Sequence, residues 1–222
     1  AAVTAVSPHL GEGLTTRGLC TAYDVVPNTV PGTDLPLPAP GPAGQFMVVA
    51  DLVDGTKNVS GVLRALKAGR DLGADLRLDV IGDGTDMNAL RALAKELGLN
   101  GHVRWLGRLA NTEVLTNMTG TGTVIINSNV ETFSVVTGEA LALGKPVIAT
   151  RCGGPVAFIT PENGVLIEPR DDKALTAAMI ARAKEERRYD PATIRRTVDE
   201  RFSASVVGRS FLAIYQRVLN HG

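Results

Sequence analysis

TVIINSNVETFSVVTGEALALGKPVIAT, residues 123–150, is the stretch on which the fold turns. It opens on an apolar run of strand length (123–127) and crosses a polar loop. It continues as a helix over 135–143 that stops at Gly144, where a C′ glycine belongs, and closes on a second strand over 145–150. Outward from it the pattern repeats. Strands are predicted at 46–50, 76–81, 102–106 and 164–167. Between them Val59, Val62, Leu63 and Leu66, then Leu90, Leu93, Ala94 and Leu97, recur at helical spacing. A short helix over 112–118 takes Asn111 as its cap. Further helices start near 172, at Pro191 behind Asp190, and at 203. Short apolar strands alternating with helices predict the α/β class, a Rossmann-like doubly wound parallel sheet over residues 43–200. Ligands of such sheets sit outside the carboxyl ends of the strands, so the loops to inspect are 51–57, 82–86, 107–111, 128–135 and 151–155.

Residues 1–42 read differently. A short strand at 3–6 leads to Ser7-Pro8, an N-cap and N1 pair, and 24–28 is a strand running into a turn. Residues 31–42 hold five prolines and form an extended, semi-rigid connector. The first ten residues have no charged n-region and no methionine, so they read as the interior of a longer chain and not as a signal peptide. Residues 201–222 form a separate terminal helix.

Composition narrows the function. In 222 residues, 23 Lys plus Arg balance 23 Asp plus Glu. That balance excludes the basic footprint of a dedicated nucleic-acid binder, and gives no general attraction to anionic membranes. Aromatics at 4% leave few platforms for base stacking. Two distant cysteines, Cys20 and Cys152, fit free thiols in a reducing, cytoplasmic setting. His9, His102 and His221 are scattered, and no metal-ligand spacing occurs, so no metal is expected.

Two loops carry candidate chemistry. Gly82-Asp83-Gly84 follows a strand and lets the backbone turn tightly, but Met87 stands where a nucleotide fingerprint has its third glycine. In the second loop, Glu131 precedes a helix and Glu139 lies inside it. The two bracket a helix N-terminus whose amides at Ser134, Val135 and Val136 suit a diphosphate. On spacing alone, a solvated Glu131 and a Glu139 that favours the helix dipole read equally well.

Several motifs then occur in order: DVVPN (24–28), a strand and loop ending in Lys57, VIGDG (80–84), VRWLG (103–107), ETFSVVTGEALALGKPVIAT (131–150), CGGPVAFI (152–159) and NGVLIEP (163–169). Together they resemble the donor-binding half of the retaining glycosyltransferases of family 4 (group 1), which have the GT-B fold. The resemblance implies a metal-independent enzyme of the EC 2.4 class whose co-substrate is a nucleotide-diphosphate sugar. Glu131 becomes the catalytic acid contacting the transferred sugar, and Glu139 binds the ribose. Lys57 neutralises the diphosphate beside the segment Thr132, Phe133, Ser134, Val135 and Val136. Gly82, Gly84, Gly107 and Arg108 lie by the nucleobase. The family's N-terminal acceptor domain is the implied partner, with membrane-surface contact only through that half. The alternatives are a non-catalytic nucleotide-sugar-binding pseudo-transferase and a phosphoacceptor signalling domain. Two positions depart from the family: Asp51 stands where an arginine is usual, with Arg108 or Arg151 as compensating cations, and Ser134 stands where glycine is usual.

Overall fold

A computed structural model describes residues 2–32 and 35–220. Residues 33–34 of the proline-rich stretch, and 221–222 with His221, lie outside the described residues. The elements in chain order are β1 (Thr4–Ala5), α1 (Pro8–Thr16), β2 (Asp24–Val25), β3 (Gln45–Val49), α2 (Asp54–Lys57), α3 (Val59–Asp71), β4 (Arg77–Ile81), α4 (Met87–Glu96), β5 (Val103–Gly107), α5 (Asn111–Thr119), β6 (Thr123–Ile126), α6 (Val135–Ala142), β7 (Val147–Thr150), β8 (Gly164–Ile167), α7 (Asp172–Ala183), α8 (Pro191–Phe202) and α9 (Ala204–Asn220). A single 3-10 turn, Gly154–Ala157, follows β7.

Six strands form one parallel sheet in the order β5-β4-β3-β6-β7-β8. This is a doubly wound arrangement. The chain runs from β3 outward to β5, returns to the centre at β6, and runs outward again to β8. Both faces are covered, which is why the strands read as apolar runs without alternation. On one face α3, α4 and α7 bury Val59, Val62, Leu63, Leu66, Leu90, Leu175 and Met179 against β3 and β4. On the other, α5, α6 and α8 bury Met118, Leu141, Ile194, Val198 and Phe202. Each large side chain removed from water contributes about 1.5–3 kcal/mol to this packing. Helix α6 is buried from Thr137 to Ala142, consistent with its lack of a polar stripe.

The order reverses between β3 and β6. Their following loops diverge to opposite faces, and a crevice opens at their carboxyl ends. Beside the main sheet, β1 and β2 pair parallel into a two-stranded sheet with α1 between them in sequence. Helix α9 packs Val207, Phe211 and Ile214 around Val26, and Arg217 is ion-paired with Asp24. Among the described residues no helix is long and apolar enough to cross a membrane.

Three local expectations change. The loop expected at 51–57 ends in the helical turn α2, so Lys57 sits on a short helix. Asn111 is the first residue of α5 and not its cap. Glu113 Oε2 accepts the Ala110 N–H at 2.9 Å in that place, which leaves the Asn111 side chain for another partner. The 3-10 turn after β7 has no counterpart in the sequence reading. Ser7 and Asp190 both cap the helices assigned to them, accepting from the N–H groups of Leu10 and Thr193.

Candidate functional site

A cleft of about 350 Å³ fills the crevice, lined by the ends of β3, β4 and β6 and the start of α6. Lys57 reaches it from α2, whose position is fixed by backbone contacts. Leu52 N–H bonds Asp83 O at 2.9 Å and Asp86 N–H bonds Leu52 O at 3.0 Å, so the loops after β3 and β4 run together. Gly82 is required by this approach. Its φ is 132°, and a β-carbon there would overlap the Ala50 carbonyl. A β-carbon on Gly84 would meet the Leu52 backbone in the same way. These two glycines therefore seat one loop on another, in keeping with the tight turn that the sequence implies. Gly82 still lines the cleft; Gly84 and Gly107 are not among its lining residues. Asp86 Oδ2 then accepts the Asp54 N–H at 2.7 Å and starts α2. Asn127 and Asn129, beyond β6, tie the turn down through Asn58 O at 3.0 Å and Gly55 O at 2.9 Å.

Glu131 faces Lys57 across the cleft. Its Oε1 is 2.5 Å from Lys57 Nζ and accepts from Ser128 Oγ at 2.8 Å. The backbone of Glu131 is clamped as well. Its N–H bonds Cys152 O at 2.9 Å, its carbonyl accepts from Gly154 N–H at 2.7 Å, and Glu131 and Gly153 form a parallel bridge. The clamp needs glycine. Gly153 has φ 114°, and a β-carbon there would overlap the Glu131 carbonyl. The sequence alone assigns CGGP no role; its signal is a pair of glycines, separated from the end of β7 by two residues, facing the loop that carries Glu131.

The helix end lies between the two glutamates. Ser134 is in the left-handed region at φ 72°, the conformation that makes glycine the easier residue there. Its hydroxyl is 2.8 Å from Thr137 Oγ1. The first amide to find a carbonyl in the helix is that of Thr137, so the N–H groups of Ser134, Val135 and Val136 have no intrahelical partner. Ser134, Val135 and Val136 all line the cleft. Thr132 and Phe133 do not. The Phe133 ring turns into the core against Phe158 and Phe202, with centroids 4.9 and 5.9 Å away, and Thr132 uses its carbonyl to hold Ser7 Oγ.

Glu139 is 3% exposed and lies outside the cleft lining. Its Oε1 accepts from Asn111 Nδ2 at 2.7 Å. Burial raises its pKa above the usual carboxylate value, and the Asn111 bond offsets part of the rise. At the cleft mouth Arg108 Nη2 lies 3.4 Å from Asp51 Oδ1, with both side chains well exposed. Arg151 pairs with Glu168 at 3.2 Å instead. Of the two arginines considered as substitutes, Arg108 is the one at the cleft. The formally charged lining is thus two cations, Lys57 and Arg108, and two acids, Asp51 and Glu131.

The family described as glycosyl transferases group 1 matches residues 39–196, well over half of the chain. A lipopolysaccharide 1,6-galactosyltransferase of Escherichia coli K12 is 29% identical over 175 residues, 75% of this chain and 48% of that protein. A lipopolysaccharide core biosynthesis glycosyltransferase, LpsD, of Rhizobium meliloti is 30% identical over 184 residues, 79% of this chain and 51% of the relative. The chain therefore spans about half the length of these relatives. The apo structure of the lipopolysaccharide outer core galactosyltransferase WaaB superposes with a TM-score of 0.84 at 26% identity, over 97% of this chain and 62% of that one. The Anabaena protein HepE in complex with UDP shares the fold at a TM-score of 0.81 and 19% identity, over 97% of this chain and 64% of its own.

Proposed function

The chain belongs to the group 1 glycosyl transferases, and from that premise we propose that it is the donor-binding half of a retaining glycosyltransferase. The reaction is transfer of a hexosyl group from a nucleotide-diphosphate sugar to a glycan, lipid or small-molecule acceptor in the cytoplasm. The observation that carries this reading is the convergence of Lys57, Glu131 and the free amides of α6 on one cleft at the reversal of strand order.

The chemistry follows from the charges. Breaking the bond between sugar and diphosphate leaves negative charge on the leaving oxygen. Fixed N–H dipoles at 134–136 and the Lys57 ammonium would stabilise that charge as it develops, without a metal ion. Lys57 already stands at the site, held by Glu131. A diphosphate would compete for the ammonium and free the Glu131 carboxylate for the sugar hydroxyls. Glu139, desolvated and held by one amide, would exchange Asn111 for ribose hydroxyls. The nucleobase would lie by Gly82 and Arg108. An acceptor domain elsewhere in the same polypeptide would supply the other wall of the site. The two-stranded sheet of β1 and β2 fits as an edge of that domain. The phosphoacceptor alternative needs a lone acid at the end of β5, where Leu106-Gly107-Arg108 supplies none. The Oδ1 atom of Asp54 is also committed to the Ser60 N–H at 2.8 Å.

Calorimetric titration with UDP, GDP and ADP tests the proposal. Binding of one of them is expected, weakened about tenfold or more in Lys57→Met, which removes a charge-assisted phosphate contact. No heat with any of the three at millimolar concentration would sink it.

A further inference from the structure

The mechanism above uses nothing from residues 1–42, yet one helix of that region is seated on the loop that carries Glu131. Ser7, 2% exposed, donates from Oγ to Thr132 O at 2.6 Å, across 125 positions of sequence. The same oxygen accepts the Leu10 N–H at 3.3 Å, so one hydroxyl both starts α1 and grips the loop. Two residues on, the His9 ring lies over Gly153. A β-carbon on Gly153 would come within 2.8 Å of His9 Cδ2 and would also overlap the Glu131 carbonyl. His9 and the Glu131 carbonyl thus both close on Gly153, and the Glu131 backbone is bonded to the residues flanking it, Cys152 and Gly154. Helix α1 touches the site at its backbone and from outside the main sheet, because its own strands pair only with each other among the described residues.

We infer that Ser7, with His9 behind Gly153, is a positioning residue for Glu131, and that α1 links the two-stranded sheet to the sugar end of the cleft. Ser7 touches neither the cleft nor the proposed donor. It acts by fixing the carbonyl of residue 132, and so the direction in which the preceding carboxylate leaves the backbone. A movement of the β1 and β2 sheet, to which α1 belongs, would reach Glu131 through this bond and leave Lys57, which is anchored from Asp86, Asn127 and Asn129, in place. The inference rests on the reading of Glu131 as the sugar-facing acid.

That separation supplies the test. The 222-residue chain is titrated with whichever of UDP, GDP and ADP it binds best, and with the glucose conjugate of that diphosphate. Ser7→Gly deletes the donor while keeping a residue that tolerates the N-cap position. It is expected to leave diphosphate affinity within about twofold and to lose about fivefold of the conjugate's affinity, the worth of one hydrogen bond. Ser7→Thr, which keeps the hydroxyl, should restore it. His9→Ala, at an exposed residue, should shift the conjugate in the same direction by less, and serves if Ser7→Gly does not fold. Equal losses for both ligands, or no loss, would mark Ser7 as purely structural and overturn the proposal. If the unmodified chain binds the conjugate no better than the diphosphate, the sugar-facing role of Glu131 fails, and the positioning role falls with it.

Discussion

Glu131 and Glu139 stand eight residues apart around the start of α6, and the protein treats their charges in opposite ways. Glu131 has a cation at 2.5 Å, a serine hydroxyl at 2.8 Å, and a backbone bonded to Cys152 and Gly154 of another loop. Glu139 has one amide, Asn111, inside the buried run of α6 from Thr137 to Ala142. The first acid is positioned by tertiary structure and compensated by a cation. The second is positioned by its helix and left undercompensated. On the proposed reading, an acid that meets a sugar needs direction, and an acid that meets two hydroxyls needs to arrive without competing water. The difference teaches that the contacts holding the site together are concentrated around Glu131, while the burial of Glu139 is a cost to the fold that ribose hydroxyls would offset.

The largest expected effect breaks the Glu131 side. Gly153→Ala meets both an unfavourable φ of 114° and the Glu131 carbonyl. Strain and overpacking together should cost about 3 kcal/mol or more, a fall in Tm on the order of 10 °C for a chain of this size. Gly73→Ala separates the two causes, because Gly73 has φ 84° but nothing within 4 Å of the added carbon. It should lose only the strain, about 1 kcal/mol. Equal losses in the two variants, measured by thermal denaturation, would show that the clamp on Glu131 is not tight.

Glu139→Gln tests the other side, and its sign is opposite. Burial holds the Glu139 carboxyl above its ordinary pKa. Between the unfolded and folded values, the folded protein keeps a proton that the unfolded chain has released, so stability falls as pH rises through that window. Glutamine does not titrate and can still accept from Asn111. The variant should therefore melt about 2–4 °C higher than the parent at pH 8, with the gap closing below about pH 4. It should also bind the nucleoside diphosphate less tightly. A gain in Tm that is the same at both pH values would place the cost in packing and not in charge.

Much of this was legible in the sequence, and the parts that were not share a cause. All six strands of the main sheet were readable as short, largely apolar runs, and their parallel pairing follows from alternation with helices, whereas the order β5-β4-β3-β6-β7-β8 is set by tertiary contacts. Lys57, Glu131, Ser134, Val135 and Val136 were placed at strand ends by the same logic, and all five line the cleft. Phe133 was misread because loop position says nothing about which way a ring turns. Its partners, Phe158 and Phe202, lie 25 and 69 positions away. Gly82, expected at a tight turn beside the nucleobase, does line the cleft, but the neighbour that its missing side chain makes room for, Ala50, lies on another strand end. Asn111 was read as a cap from its neighbours alone, and its real partner is a buried carboxylate in another helix. Each miss depends on a contact between distant segments, which periodicity and local propensity do not encode.

The smallest expected effect concerns the other acid of the cleft lining, Asp51, and it sharpens the comparison by adding a further case beside Glu131 and Glu139. Like Glu131, Asp51 has a cationic partner; unlike Glu131, it lies at the exposed mouth, with its side chain 78% and that of Arg108 74% accessible. An exposed pair of this kind contributes about 0–1 kcal/mol, so Asp51→Ala should leave Tm within about 2 °C. Its effect on binding has a definite direction. On the proposed reading the cleft takes up a diphosphate, so removing a carboxylate and freeing Arg108 should tighten the nucleoside diphosphate by about two- to threefold at low ionic strength. The gain should shrink in high salt, because both groups are solvated and screened. If Asp51→Ala weakens binding instead, Asp51 is itself a ligand contact. The family arginine would then have been replaced by a residue that recognises a hydroxyl or base edge, and the cleft's specificity, not its strength, is what the departure changed.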